Sequence, residues 1–471
     1  MRTDVSCDRC HRIKAKCVFT PGISSCGRCS RLQHNCTKAR VFAQRGRRRK
    51  DDKFLLSKGK SDAFLWVDNA SYPNQIITNH YERPKETAQN SQGDLVTISR
   101  LIQFPPPEDQ LLETLWSHHF VSDFVIGPSF ARFFQDMLRR SFANSPEVLR
   151  DTHLATAAAF LQTQRGGTGN ESLNLNRTSM SIERLRCFRA TDRSQLALLS
   201  GLGLSIVTFE ILIASAASHA IVAHTLLSLK PWIPVPTRDP ELDFNLNALI
   251  LLDTVNCLMY REVPIIRYEP TDEIRIDRSV GICCDFLPIM YDACLVSHKR
   301  YRATELDQLQ SVFSWSGIKL KIQEWSPVEP SGFIEMYQDN EIVAMRTQAS
   351  IYQNAVLLLI HRMQHPYGGI DEVGMSWSKC ILSSLETCFR VTGSYPLPTF
   401  FPLLVASLEV TDHPTRQDIM GAIETRFQLV FCQFLMKMKR FLQYVWEARD
   451  SGCFLSWEQI IHATPKMFFL P

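Results

Sequence analysis

Six cysteines crowd into the first 36 residues, in the order Cys7-x2-Cys10-x6-Cys17-x8-Cys26-x2-Cys29-x6-Cys36. One unit, C-x2-C-x6-C, is written twice across an eight-residue loop. A segment this short cannot build an apolar core, so a cross-link must fold it. Met1 is followed by Arg2, Thr3 and Asp4 with no apolar stretch, so no secretion signal is expected and a reducing compartment is. That argues against disulfides and for metal. A C-x2-C pair brings two thiolates onto one ion from a tight turn, and zinc takes four sulfur or nitrogen ligands in a tetrahedron. Six thiolates cannot fill two separate tetrahedra, but they can if two sulfurs bridge both ions. The internal repeat makes the bridging pair Cys7/Cys26, Cys10/Cys29 or Cys17/Cys36. The spacing therefore predicts two zinc ions on Cys7, Cys10, Cys17, Cys26, Cys29 and Cys36, in a unit that unfolds without metal.

Charge falls in the same place. The net charge of the 471 residues is +4, but residues 1–60 hold 17 of the 52 Lys and Arg and only 4 of the 48 Asp and Glu. The head is thus +13 and the remainder −9. A basic module on a mildly acidic body is the footprint of a polyanion-binding head. The two halves of the cysteine repeat are unequal. His11, Arg12, Ile13, Lys14, Ala15 and Lys16 separate Cys10 from Cys17, whereas Ser30, Arg31, Leu32, Gln33, His34 and Asn35 separate Cys29 from Cys36. Both can form a short helix, and the first, with three firm cations, is the better reader of the major groove, where Lys can donate to guanine O6 and N7. Arg12, Lys16 and His11 fit phosphates. A second basic cluster, Arg45, Arg47, Arg48, Arg49 and Lys50, suits a nuclear localisation patch, a phosphate-binding arm, or both.

Behind the head the sequence divides further. Residues 1–40 form the cysteine module, 41–97 a basic arm and flexible linker, and 98–471 a mainly α, all-helical body. The linker is polar and irregular, without sustained apolar heptads. Pro107-Glu108-Asp109 predicts a helix start with acidic residues in the first turn. A long amphipathic helix is predicted from Thr415, paired with Asp418 as a cap, through Ile419, Ile423, Phe427, Phe431, Leu435, Met438, Leu442 and Val445. Further helices fit 146–163, 194–229, 279–297, 304–324, 334–364 and 373–391. The apolar run Leu196–Leu229 reads as two buried core helices rather than a membrane span, because Glu210, His219 and His224 interrupt it. The nine cysteines beyond residue 36 have no ligand spacing and are expected to be small buried hydrophobes.

Residues 7–36 resemble the fungal zinc binuclear-cluster transcription-factor domain. The matching residues are Cys7-Asp8-Arg9-Cys10, Lys14, Lys16-Cys17, Pro21 and Cys26-Gly27-Arg28-Cys29 with Cys36. The resemblance implies that Cys7 and Cys26 bridge the two zinc ions. It also implies that Lys14 reads bases, usually in CGG-like triplets. His11 departs from the Arg usual at its position, and the eight-residue loop is longer than in the best-known members. The body is more diffusely similar to the helical fungal-specific regulatory region. The similarity is carried by Ile250-Leu251-Leu252-Asp253, Gly281-Ile282-Cys283-Cys284-Asp285-Phe286-Leu287-Pro288, His361-Arg362-Met363-Gln364-His365-Pro366 and Phe401-Pro402-Leu403-Leu404-Val405-Ala406.

Other signals are weak. His361 and His365 have helical metal spacing, but Arg362 stands where a zinc protease needs Glu, so they are read as helix-end residues. Gly201-Leu202-Gly203-Leu204-Ser205 lacks a preceding strand and is read as helix packing rather than a nucleotide loop. No serine elbow, metalloprotease helix or P-loop marks an enzyme. The expected protein is a nuclear regulator of the RNA polymerase II type, acting on metabolic or biosynthetic genes. Its partners would be duplex DNA and the transcription machinery, with a homodimer compatible and no membrane partner. The rival is a zinc-stapled interaction adaptor without sequence-specific DNA binding.

Overall fold

The computed structural model describes residues 7, 10, 17–19, 25–34, 36–37, 106–165, 171–213, 217–232, 239–270, 276–302, 315–427, 431–453, 455–463 and 467–471. The chain divides into two units, Met1–Asn74 and Gln75–Pro471.

In the first unit the described helix is α1 (Gly27–Arg31), discussed with the cysteines below.

The second unit is helical, as expected. Its described elements are α2 (Pro106–Leu115), α3 (His118–Ser122), α4 (Pro128–Asn144), α5 (Pro146–Arg165), α6 (Glu171–Cys187), α7 (Ser194–Leu212), α8 (Ser218–Leu229) and α9 (Pro240–Tyr260). Then come α10 (Leu287–Arg302), α11 (Trp315–Glu324), α12 (Phe333–Met336), α13 (Asp339–Gln364), α14 (Asp371–Thr392), α15 (Phe400–Glu409), α16 (His413–Thr425), α17 (Cys432–Asp450) and α18 (Trp457–Ala463). No strand occurs among the described residues; an isolated bridge joins Asp277 and Gly281.

Two helix groups share one apolar core. In one, α7 packs against α5, α8 and α9, and α5 also against α2 and α6. In the other, α13, α14 and α15 pack together. Helices α10 and α17 connect them, and α11 packs against α10 and α13. The last residues close the core on α9: Asn256 Oδ1 accepts from the N–H of Phe469 (2.9 Å) and its Nδ2 donates to the Phe469 carbonyl (2.8 Å).

Glu108 and Asp109 lie in the first turn of α2, as the sequence predicts. The apolar run after residue 194 is two helices, α7 and α8. Gly203 lets them approach: a Cβ there would lie 2.3 Å from Oγ1 of Thr225, so the glycine pair serves helix packing. Both α7 and α9 are long and apolar enough to cross a membrane, but 56% and 89% of their apolar windows are buried within the protein, and we read them as core helices.

Four expectations need correction. The single helix drawn from Thr415 to Val445 is two, α16 and α17. The cap is Asp412, which accepts from the N–H of Thr415 at 2.9 Å, not the Thr415/Asp418 pair. Between the helices Phe427 and Phe431 pack on Phe400, with ring centroids 5.0 Å apart in each case, and this aromatic packing competes with helical continuation. The helix placed at 279–297 begins only at Leu287, after the Asp277–Gly281 turn. The cysteines beyond residue 36 are not uniformly buried: Cys187, Cys380 and Cys453 are exposed.

Candidate metal centre

The cysteine repeat folds back on itself so that its thiols converge. The Sγ atoms of Cys7, Cys10, Cys17 and Cys26 lie within 4.8 Å of one another, and so do those of Cys7, Cys26, Cys29 and Cys36. Cys7 and Cys26 thus belong to both tetrads. The Sγ–Sγ separations are 3.8 Å for Cys7–Cys26, 3.7 Å for Cys7–Cys29 and 3.7 Å for Cys10–Cys26. A zinc tetrahedron with bonds of about 2.3 Å has edges of about 3.8 Å, so these spacings fit one. They are far from the roughly 2.05 Å of a disulfide.

The internal repeat is reproduced bond for bond. The N–H of Cys10 donates to Sγ of Cys7 and that of Cys29 to Sγ of Cys26, both at 3.4 Å. The N–H of Cys7 donates to Sγ of Cys17 and that of Cys26 to Sγ of Cys36, both at 3.3 Å. In the second half, α1 starts on Cys26 as its N-cap and buries Cys29. Gln33 takes a positive φ of 50°, ending the helix, and the chain then returns to Cys36.

The donors decide which sulfurs ionise most readily. The Cys29 N–H, with help from neighbouring thiols, draws the Cys26 thiol down to about 6 against the opposing effect of burial. Burial pushes Cys7 up, but the Cys10 N–H and the Cys10 and Cys29 thiols leave it below its ordinary value. Burial pushes Cys29 up to about 12 and raises Cys10 as well. The two sulfurs common to both tetrads are therefore the most thiolate-like. Thiolate is the form that binds a metal, and this donor set could hold two zinc ions.

Of the cations around the cluster, Arg28 and Arg31 on α1 are described, and both are exposed. Sequence reasoning gave these two little weight because it ranked the first inter-cysteine segment above the second. His11, Arg12, Lys14, Lys16 and Pro21 lie outside the described residues, as do Arg45, Arg47, Arg48, Arg49 and Lys50.

Two other groups resemble ligand sets and have simpler accounts. His219, Asp253 and Cys257 converge, but the Asp253 carboxylate already accepts from the N–H of Ile265 (2.7 Å) and from the Cys257 thiol (3.6 Å). His361 Nε2 lies 3.1 Å from the carbonyl of Ile370, and His365 is the C-cap of α13, so this pair sits at a helix end as read from sequence.

The fungal specific transcription factor domain matches residues 112–470, a span that covers most of the helical unit and leaves the cysteine cluster outside it. No curated protein and no solved structure matches the chain.

Proposed function

The chain belongs to the family of the fungal specific transcription factor domain and is a transcription regulator; we propose that it acts in the nucleus as a zinc-dependent, sequence-specific DNA-binding factor for genes transcribed by RNA polymerase II. Metabolic or biosynthetic genes are the targets we favour. The observation that carries this reading is the pair of sulfur tetrads sharing Cys7 and Cys26. Six thiolates, two of them common to both sets, match the ligand count for two tetrahedral ions. Bound zinc supplies the cross-link that the small head lacks.

In this reading residues 1–40 are the DNA-binding head, 41–97 the arm and linker, and 98–471 the regulatory body. Lys14 reads base edges, by its place in the resembling pattern. Arg12, Lys16 and His11 contact phosphate, and the exposed Arg28 and Arg31 add positive charge on the other half of the repeat. Arg45, Arg47, Arg48, Arg49 and Lys50 extend the phosphate contacts or direct nuclear import. CGG-like sites and a homodimer are the arrangements to test first.

The test uses the full-length chain. Elemental analysis should give two zinc ions per chain. Site selection on random duplexes should return a defined sequence, with binding abolished by chelator and restored by zinc. One zinc per chain would overturn the bridged cluster. Zinc-dependent capture of a protein partner, with no selected duplex, would favour the adaptor.

A further inference from the structure

The helical unit holds a partly open cavity of about 160 Å³, between α2, α4, α5, α7 and α9 on one side and the segments entering α15 and α17 on the other. Its wall is chiefly apolar, with Phe120, Phe134, Met137, Leu251, Phe400 and Phe431 among the lining residues. A dry cavity of about 150 Å³ takes up benzene, so this space suits a ring-sized molecule.

Arg278, Asp123 and His153, each at most 3% exposed, are among the polar side chains that line it. Each has a buried atom without a hydrogen-bond partner: Nε of Arg278, Oδ2 of Asp123 and Nδ1 of His153. Buried polar atoms are normally paired, and three unpaired ones around one cavity point to a ligand that completes them.

Arg278 sets the charge of that ligand. Its guanidinium carbon lies 3.5 Å from the ring centroid of Phe244 and 4.1 Å from that of Phe134, two rings whose own centroids are 5.0 Å apart, so aromatic carbon flanks it on adjacent sides. Its edge is open: Nη1 makes only a 3.5 Å contact with the carbonyl of Phe124. No carboxylate lies within ion-pair distance of it among the described residues. Neighbouring Asp277 is occupied, accepting from the N–H groups of Ser279 (2.8 Å) and Val280 (3.0 Å) and from Nδ2 of Asn247 (3.1 Å). Burial lowers the guanidinium to about 9, opposed by Asp277, which leaves it cationic at neutral pH.

The turn carrying Arg278 is held from three directions. Its carbonyl accepts from the N–H of Ile126 (2.8 Å), Gln348 Nε2 donates to the carbonyl of Ser279 (2.8 Å), and Asp277 is tied to α9 through Asn247. Gly281 closes the turn at φ +58°, where a Cβ would lie 2.6 Å from Oε1 of Gln348. The cation is therefore held in place before any ligand arrives.

We propose that this cavity binds a compact, largely apolar carboxylic acid, with its carboxylate on Arg278 and its ring against the aromatic wall. Asp123 and His153 offer hydrogen bonds to a second polar substituent. The proposal concerns the helical unit alone and does not rest on zinc or DNA binding.

The test uses the full-length chain with benzoate, 3-phenylpropionate, toluene and benzylamine, followed by calorimetry and thermal unfolding. A carboxylate probe should raise Tm and bind at least about tenfold tighter than toluene or benzylamine, the margin expected of a charge-assisted pair. Arg278→Leu should remove that preference and keep toluene binding. Because Arg278→Leu can disturb the turn, Thr208→Phe is the second variant. Thr208 lines the cavity and its hydroxyl bonds only its own helix, at the Leu204 carbonyl. That variant should keep its fold and lose all the probes. No Tm shift with either carboxylate, or equal affinity for acid and toluene in the parent chain, would overturn the proposal and leave a cavity filled by water.

Discussion

Arg362 and Glu409 form a buried fork between α13 and α15: Nε donates to Oε1 at 2.7 Å, and Nη2 donates to Oε2. Their side chains are 1% and 0% exposed. Arg362 Nη2 also reaches Asp371 at 2.8 Å, and its guanidinium carbon lies 4.4 Å from the ring centroid of Tyr367. Helix α14 crosses here at Gly374, where a Cβ would meet Nη2 of Arg362 at 2.6 Å. Removing Glu409 leaves the buried guanidinium only the partly exposed Asp371 as its counter-charge. Glu409→Leu should therefore cost about 3–5 kcal/mol. The double change Arg362→Met with Glu409→Leu should recover much of that loss. Urea midpoints of the three chains decide it; equal loss in single and double variants would show that packing, not the stranded charge, sets the cost.

Gly203 makes a second, purely steric prediction. The Cβ of an alanine there would lie 2.3 Å from Oγ1 and 2.5 Å from Cγ2 of Thr225. Gly203→Ala should cost about 1–3 kcal/mol, the usual penalty for overpacking, despite the better helix propensity of alanine. Thr225→Ala, which removes both clashing atoms, should rescue part of it. A stabilised Gly203→Ala chain in thermal unfolding would mean the two helices can part.

The acid limit of the helical unit should carry the mark of His153. Burial alone lowers its imidazole to about 3, from an ordinary value of 6.5. The folded chain then refuses a proton that the unfolded chain accepts, so the contribution is intact above 6.5 and is lost as pH falls toward 3. The slope from this one group approaches about 1.4 kcal/mol per pH unit. His361, also pushed down by burial, to about 4, acts in the same direction. His153→Leu should flatten the fall in unfolding free energy between pH 7 and 5. An unchanged slope would place His153 in contact with solvent.

The cysteine cluster was legible because its information is local: spacing and internal repeat suffice. Helix α2 was legible through its acidic first turn. Helix α9 escaped because nearly every residue from Leu242 to Met259 is buried, so no polar face gives it a period. All ten residues of α15 are buried, with the same effect. Arg362 reads from sequence only as a missing Glu; its partner lies 47 residues on. The cavity was invisible for a similar reason. Asp123, His153 and Arg278 come from distant parts of the chain, and only tertiary packing brings them to one space.

The two tetrads predict an asymmetry among the cysteines. Cys7 serves both sets and Cys17 only one. Cys17→Ala should keep one zinc ion, in the set Cys7, Cys26, Cys29 and Cys36, whereas Cys7→Ala leaves neither set complete. Zinc per chain, measured after gel filtration, should fall from two to about one for Cys17→Ala and below one for Cys7→Ala. Equal residual zinc in the two variants would mean that Cys7 does not bridge.

The last prediction concerns base reading. Lys14 lies in the more basic inter-cysteine segment, at the position the resembling domain uses to read bases. Lys16 adjoins Cys17, and Arg12 follows Cys10 by two residues, so both suit phosphate. Lys14→Ala should cost about 1–3 kcal/mol on the selected duplex and relax its sequence preference. Arg12→Ala and Lys16→Ala should weaken all duplexes alike and reduce the salt dependence by about one phosphate contact each. None of the three is a cysteine, so zinc content should stay at the parent value in every variant, which separates a reading defect from an unfolded head. Each variant needs two titrations at matched salt, against the selected and a scrambled duplex. If Lys14→Ala lowers both affinities in parallel, Lys14 contacts phosphate and the reading residue lies elsewhere in the head, with Arg28 and Arg31 on α1 the next to replace.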